Sequence, residues 1–182
     1  MSITYLEAIR EAQARALKDD SRVFIYGQDV GAFGGAFKAT KNLAQEFPGR
    51  VIDAPISEDA IVGAAIGAAI EGMRPIIEMQ FADFSTVGLN QIINHAAKML
   101  YMSGGQFNVP IVFRGPNGSA HMLGAQHSQS VESMLTNIPG LKIVTPCNPY
   151  DGKGLLKSAI RDNNPVIFLE SEMMYGMKGE VP

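Results

Sequence analysis

The chain has 182 residues, 46% of them hydrophobic and 18% charged, with a formal net charge of −3. That length suits one domain of ~150 residues with little left over, large enough to bury a core without disulfides or a structural metal. The composition excludes a disordered chain, a coiled coil and a collagen-like repeat. The slight acidity excludes the basic footprint of a nucleic-acid binder.

From the start, Thr4 and Glu7 make a capping-box pattern, and Tyr5, Leu6, Ile9, Ala12, Ala16 and Leu17 recur at helical spacing up to Asp19-Asp20-Ser21. Val23 to Tyr26 reads as a buried strand closed by Gly27. A glycine-rich loop, Gly31 to Gly35, precedes a short helix over Thr40–Phe47. Strands are predicted at Val51–Ala54, Pro75–Met79, Pro110–Arg114, Lys142–Thr145 and Pro165–Glu170. Helices are predicted at Glu58–Gly72, Thr86–Met102, Ser128–Asn137 and Tyr150–Asp162. The tail from Met173 to Pro182 has no pattern. This alternation predicts an α/β fold, a mostly parallel sheet covered by helices on both faces. Ligands of such sheets bind at the carboxyl ends of the strands, which directs attention to 27–35, 55–58, 80–85, 115–127 and 146–149.

The N-terminal segment carries no signal-peptide core, and the longest small or apolar run, Ala60 to Ile70, is too short for a bilayer span of about 20 residues. The single cysteine, Cys147, excludes a disulfide within the chain and fits a reducing compartment. Asn117-Gly118-Ser119 has the form of a glycosylation sequon but reads as a turn. The helix Glu58–Gly72 carries Ala60, Ala64 and Ala68 beside Gly63 and Gly67. Such a stripe either packs on the chain's own sheet or meets a second subunit.

Self-contained catalytic devices are missing. Gly31 to Gly35 has the wrong spacing for a dinucleotide loop, Gly152-Lys153 lacks the rest of a phosphate loop, and no Gly-x-Ser-x-Gly elbow occurs. His95, His121 and His127 have no metal-ligand spacing. Candidate groups remain at the strand ends. Glu58 opens a helix whose dipole favours a carboxylate, with simple capping as the plainer reading. Phe81 and Phe84 are either core or a ligand platform, and His127 sits where an imidazole can move protons near neutral pH.

Several motifs taken together resemble one family. Pro55-Ile56-Ser57-Glu58, Glu78-Met79-Gln80-Phe81, Gln91-Ile92-Ile93-Asn94, Tyr101 to Gln106, His127-Ser128-Gln129-Ser130, Pro139 to Lys142 and Tyr150 to Leu156 follow one another in order. This is similar to the beta subunits of thiamine-diphosphate-dependent 2-oxoacid dehydrogenases, over essentially the whole chain, with the pyruvate enzymes nearest.

The resemblance implies that residues 1–182 are the pyrimidine-binding domain, and that such subunits continue into a C-terminal transketolase-like domain absent from this chain. It implies that Glu58 hydrogen-bonds a pyrimidine nitrogen of thiamine diphosphate. Phe84 stacks near that ring, Gln80 joins the cofactor site, and His127 orients or protonates the bound intermediate. Ile111, Ala159, Asp162 and Asn164 resemble a monovalent-cation site, with potassium as the expected ion.

The resemblance implies that the diphosphate and its magnesium are held by a partner alpha subunit, and no Gly-Asp-Gly metal motif occurs here to contradict it. The other expected partners are a lipoyl-bearing acyltransferase core, reached through the missing domain, and a 2-oxoacid. No nucleic acid and no membrane are expected as partners. The isolated chain is expected to be inactive, without tight cofactor binding, in the bacterial cytoplasm or alternatively a mitochondrial matrix or plastid. Acetoin or branched-chain 2-oxoacid dehydrogenases share the motifs, and a non-catalytic assembly module is the reading from another class. Three positions depart from the family pattern: the loop Ser119–Leu123, Asn90 where an acid is common, and Gly152 where Ala is common.

Overall fold

A computed structural model describes residues 1–119 and 122–182. His121 and the centre of the Ser119–Leu123 loop therefore lie outside the described residues. Strand β1 (Ser2–Thr4) leads into helix α1 (Tyr5–Asp19), where Thr4 and Glu7 form the reciprocal capping box. Then come β2 (Val23–Gly27), the one-turn α2 (Leu43–Glu46), β3 (Val51–Asp53), α3 (Glu58–Ile70) and β4 (Arg74–Glu78). The second half holds α4 (Met99–Met102), β5 (Val112–Asn117), α5 (Glu132–Leu135), β6 (Lys142–Val144), α6 (Pro149–Arg161), β7 (Val166–Ser171) and β8 (Lys178–Glu180).

Six strands form one sheet in the order β3-β2-β4-β5-β7-β6, every pairing parallel. Strand alternation divides the core. Ile76, Val112, Val166 and Phe168 join the cluster under α1 and α6, whereas Ile77, Phe113, Ile167 and Leu169 face α3 and the segment after it. Helices on both faces explain why these strands read as continuous apolar runs. The expected α/β fold class is therefore observed.

Four details differ from the expectations. The tail is not patternless: Lys178–Glu180 pairs antiparallel with Ser2–Thr4. Three-residue strands are too short to show alternation in sequence. The predicted helix 40–47 shrinks to its last turn because the buried Thr40 hydroxyl donates to the Val30 carbonyl at 2.8 Å and Asn42 is left-handed.

The predicted helix 86–102 is broken. It is replaced by a 3₁₀ turn at Ala82–Thr86, a π-helical turn at Gln91–Ala96 and the short α4. Gly140 packs so closely on the Ala97 carbonyl that a Cβ there would fall 2.1 Å from its oxygen, which marks where the helical ladder is interrupted. The predicted helix 128–137 retains only Glu132–Leu135, because Asn117 Oδ1 accepts the Val131 N–H at 3.2 Å and holds the preceding chain in a loop.

The order of the sheet locates a crevice. From β2 the chain proceeds outward to β3, and from β4 it proceeds the other way to β5, so the connections diverge between the carboxyl ends of β2 and β4. Open α/β sheets bind ligands at such switch points.

Candidate active site

At this switch point Gln80, just past β4, donates its amide to Asp29, just past β2, at 3.4 Å. Next to Gln80, three rings meet edge to face. His127 lies 4.8 Å from Phe81 and 5.1 Å from Phe84, and the two phenylalanines are 5.6 Å apart. Edge-to-face geometry fixes ring planes with little entropic cost. The 3₁₀ turn carrying Phe84 leads to Gly88, which packs against the first turn of α3, close to the Glu58 carbonyl and Val62. Glu58 thus stands one short segment away from the aromatic trio. It is half-buried, and its carboxylate accepts no hydrogen bond from the described residues. It does not cap its own helix through a side-chain bond, and neither does Ser57.

Beneath the crevice lies a polar cluster that the sequence reading missed. Glu78 ends β4, Arg114 lies within β5 and Glu170 is next to last in β7; all three are on the face of α1 and α6, two residues beyond Ile76, Val112 and Phe168. Arg114, only 1% exposed, donates to Glu78 and through two nitrogens to Glu170, which also accepts the Tyr175 hydroxyl at 2.8 Å. Burial pushes the Glu78 carboxyl up; Arg114 pulls it down and Glu170 adds to the rise. Burial and Glu170 hold the Tyr175 phenol up as well. Gly35, at φ +81°, leaves room for this cluster: a Cβ there would fall 2.4 Å from Glu78 Oε1. The only sequence signal was a strand pattern that ends in charged residues where an apolar side chain belongs.

Asp83 and Gln129 were also missed. Asp83 is buried, and its Oδ1 accepts the Gln129 backbone N–H at 3.0 Å and its side-chain amide at 2.9 Å. Asp83 sits beside Phe84 in sequence, and Gln129 two residues after His127.

The four residues expected at a cation site lie together at the other end of the sheet. The Ile111 carbonyl accepts Val166 N–H at 2.9 Å, and the Ala159 carbonyl accepts Asp162 N–H at 3.1 Å. Asp162 Oδ1 accepts the Asn164 backbone N–H at 2.9 Å and its side-chain amide at 3.1 Å. Arg74 donates to the Ile160 and Asp162 carbonyls at 3.0 and 3.1 Å. A cavity of about 170 Å³ opens beside Arg74, lined by Arg15, Asp19, Asp20, Arg22 and Lys157 among others. Hydrogen bonding from Arg22 holds Asp20 down at about 2, so the acids there are committed to ion pairs. Among the described residues no group of three or more His, Cys, Asp or Glu side chains is placed to hold a metal, and no helix is long and apolar enough to cross a membrane.

The small-residue stripe of α3 faces outward. Ile61, Val62, Ala65, Ile66 and Ala69 are buried, while Ala60, Ala64 and Gly67 are exposed. A Cβ on Gly67 would meet nothing within 4 Å. Packing inside this chain therefore does not account for the stripe.

Comparison with known proteins places this geometry in a family. The family model for the transketolase pyrimidine-binding domain matches residues 1–178. The pyruvate dehydrogenase E1 component subunit beta of Gracilaria tenuistipitata var. liui is 51% identical over 99% of this chain and 56% of its own length. The human mitochondrial subunit of the same name is 48% identical over 100% and 51%. The 2-oxoisovalerate dehydrogenase subunit beta of Bacillus subtilis (strain 168) is 52% identical over 99% and 56%. The chain spans about half the length of these relatives. A solved structure described as a split-gene transketolase, inactive beta4 tetramer, superposes with a TM-score of 0.74 at 19% identity, covering 96% of this chain and 52% of that one, which shows the shared fold. The chain belongs to the transketolase pyrimidine-binding domain family.

Proposed function

We propose that this chain is the pyrimidine-binding part of the decarboxylating component of a 2-oxoacid dehydrogenase, with pyruvate as substrate, acting with thiamine diphosphate shared with an alpha subunit. One observation carries the reading: a half-buried carboxylate without a partner among the described residues, Glu58, stands at a helix N-terminus near an aromatic trio at the sheet's switch point. A carboxylate with open lone pairs fits the N–H of an aminopyrimidine, and the Phe84 ring fits its flat face. Bound thiamine diphosphate supplies a carbon that adds to the 2-oxoacid and stabilises the charge left by decarboxylation.

The chain's own residues have simpler tasks. From the first turn of α3, Glu58 gives a proton to a pyrimidine nitrogen and takes it back. Phe84 sets the plane of the ring. His127, fixed edge-on to two phenylalanines, presents its imidazole to the substrate. Gln80 and Asp29 line the crevice from opposite sides.

The diphosphate and magnesium fall to the alpha subunit, and the exposed stripe of α3 to a subunit interface. A monovalent cation such as potassium at Ile111, Ala159, Asp162 and Asn164 would share the Asp162 carbonyl with Arg74, and so would serve structure. The lipoyl acyltransferase core falls to the part of the relatives' length that this chain does not span. A branched-chain 2-oxoacid is the second reading, favoured by the 52% identity to the Bacillus subtilis subunit.

The test is a panel of 2-oxoacids given to the full-length subunit assembled with its alpha partner. Pyruvate is turned over best, and Glu58→Gln lowers decarboxylation about 10²–10⁴-fold with assembly intact. Preference for branched acids selects the second reading. Near-normal turnover by Glu58→Gln overturns the role of Glu58.

A further inference from the structure

The Asp83 carboxyl is only 3% exposed, yet it serves one partner residue. Oδ1 accepts both hydrogen bonds from Gln129, and Oδ2 is buried with no partner. Leaving a buried polar oxygen unmatched costs about 1–3 kcal/mol, so the two bonds at Oδ1 should have a compensating effect.

Their location suggests one. Gly118 N–H donates to the Gln129 carbonyl at 2.9 Å and closes the neck of the loop that contains His127. Residues 122–128 hold a 3₁₀ turn at Ala125–His127, where His127 N–H donates to the Gly124 carbonyl at 3.2 Å. Among the described residues, Asp83 is the hydrogen-bonding link between the turn bearing Phe84 and residues 124–130. Without it, His127 would be held to Phe81 and Phe84 by ring contacts worth only about 0.5–1.5 kcal/mol each.

We propose that Asp83 is a positioning residue: by accepting both N–H groups of Gln129 it holds the His127 imidazole edge-on against Phe81 and Phe84. An asparagine in its place keeps an Oδ1 acceptor for both donors, and its Nδ2 replaces the oxygen that has no partner. The importance of this placement for turnover rests on the function proposed above, whereas the placement itself does not.

The test is the imidazole ε1 proton of His127 in NMR spectra of this chain, assigned by its disappearance in His127→Gln. Two edge-on rings displace this signal from that of a free histidine. Asp83→Ala moves it to the free position, and Asp83→Asn leaves it in place. A folded Asp83→Ala protein with an unmoved signal overturns the proposal, and so does Asp83→Asn shifting as far as Asp83→Ala.

If Asp83→Ala does not fold, Gln129→Glu takes its place, because it sets two carboxylates against each other. It moves the signal, and adding Asp83→Asn restores it by supplying an amide donor. An unmoved signal in Gln129→Glu likewise overturns the proposal. In the assembled enzyme, Asp83→Ala lowers kcat by up to about 10²-fold with rescue by Asp83→Asn, as expected for a displaced group. A signal that moves without a change in kcat faults the role given to His127 and leaves the positioning intact.

Discussion

Two sets of carboxylates lie near the same strand ends, and their surroundings are opposite. Glu78 and Glu170 are buried and joined through Arg114, with Tyr175 completing the shell of Glu170. Glu58, at the head of α3, is half-exposed and takes nothing from the described residues. A satisfied buried cluster ties three neighbouring strands together. An open carboxylate at a helix N-terminus keeps its lone pairs for something that arrives. The difference separates groups that hold the fold from the one to which chemistry is assigned in the function proposed above, even though both are acids near one edge of one sheet.

The comparison breaks most readily at Arg114. Arg114→Met leaves two carboxylates buried without their cation, and loss of one partner of such a cluster costs about 3–5 kcal/mol. Denaturant unfolding should register that loss. A change below 1 kcal/mol would mean that the cluster is not what ties these strands together.

Glu58→Gln is expected to be much milder, since it removes one favourable charge–dipole contact of about 0.3–1 kcal/mol. A loss as large as that of Arg114→Met would make Glu58 structural and erase the contrast.

The smallest effect is a slope. Glu78 titrates above its ordinary range because burial disfavours its charged form. Its folded state therefore holds the proton more tightly than the unfolded state. The stability this confers is complete below the ordinary glutamate range, near pH ~4.3, and is lost as pH rises through the raised value. Glu78→Gln mimics the protonated form and should flatten that decline in stability measured across pH. An unchanged slope would assign it to another group.

The sheet was legible in the sequence because buried parallel strands are short apolar runs, such as Val23 to Tyr26 and Pro165 to Leu169. Its edges were not. The β1–β8 pair rests on three residues from each end of the chain, a contact without local pattern. The segment after β4 was read as one helix because its apolar spacing is helical, but the approach of Gly140 to Ala97 depends on a turn more than 40 residues away.

Among site residues, Phe84 and His127 were named from motifs, and the structure sets their rings 5.1 Å apart. The link through Asp83 and Gln129 was invisible, because it joins a buried acid to a loop amide with no characteristic spacing. Arg114 was read only as the end of a predicted strand, and the structure makes it the centre of a buried cluster.

The central claim is that the free carboxylate of Glu58 exchanges a proton with the pyrimidine of thiamine diphosphate. The most direct measurement is the rate at which the C2 proton of the bound cofactor exchanges with deuterium oxide in the assembled enzyme, followed by NMR after acid quench. Glu58→Gln, assembled and loaded to the same occupancy, should slow that exchange about 10²-fold or more. Exchange at the wild-type rate would contradict the account and leave Glu58 as an ordinary first residue of a helix.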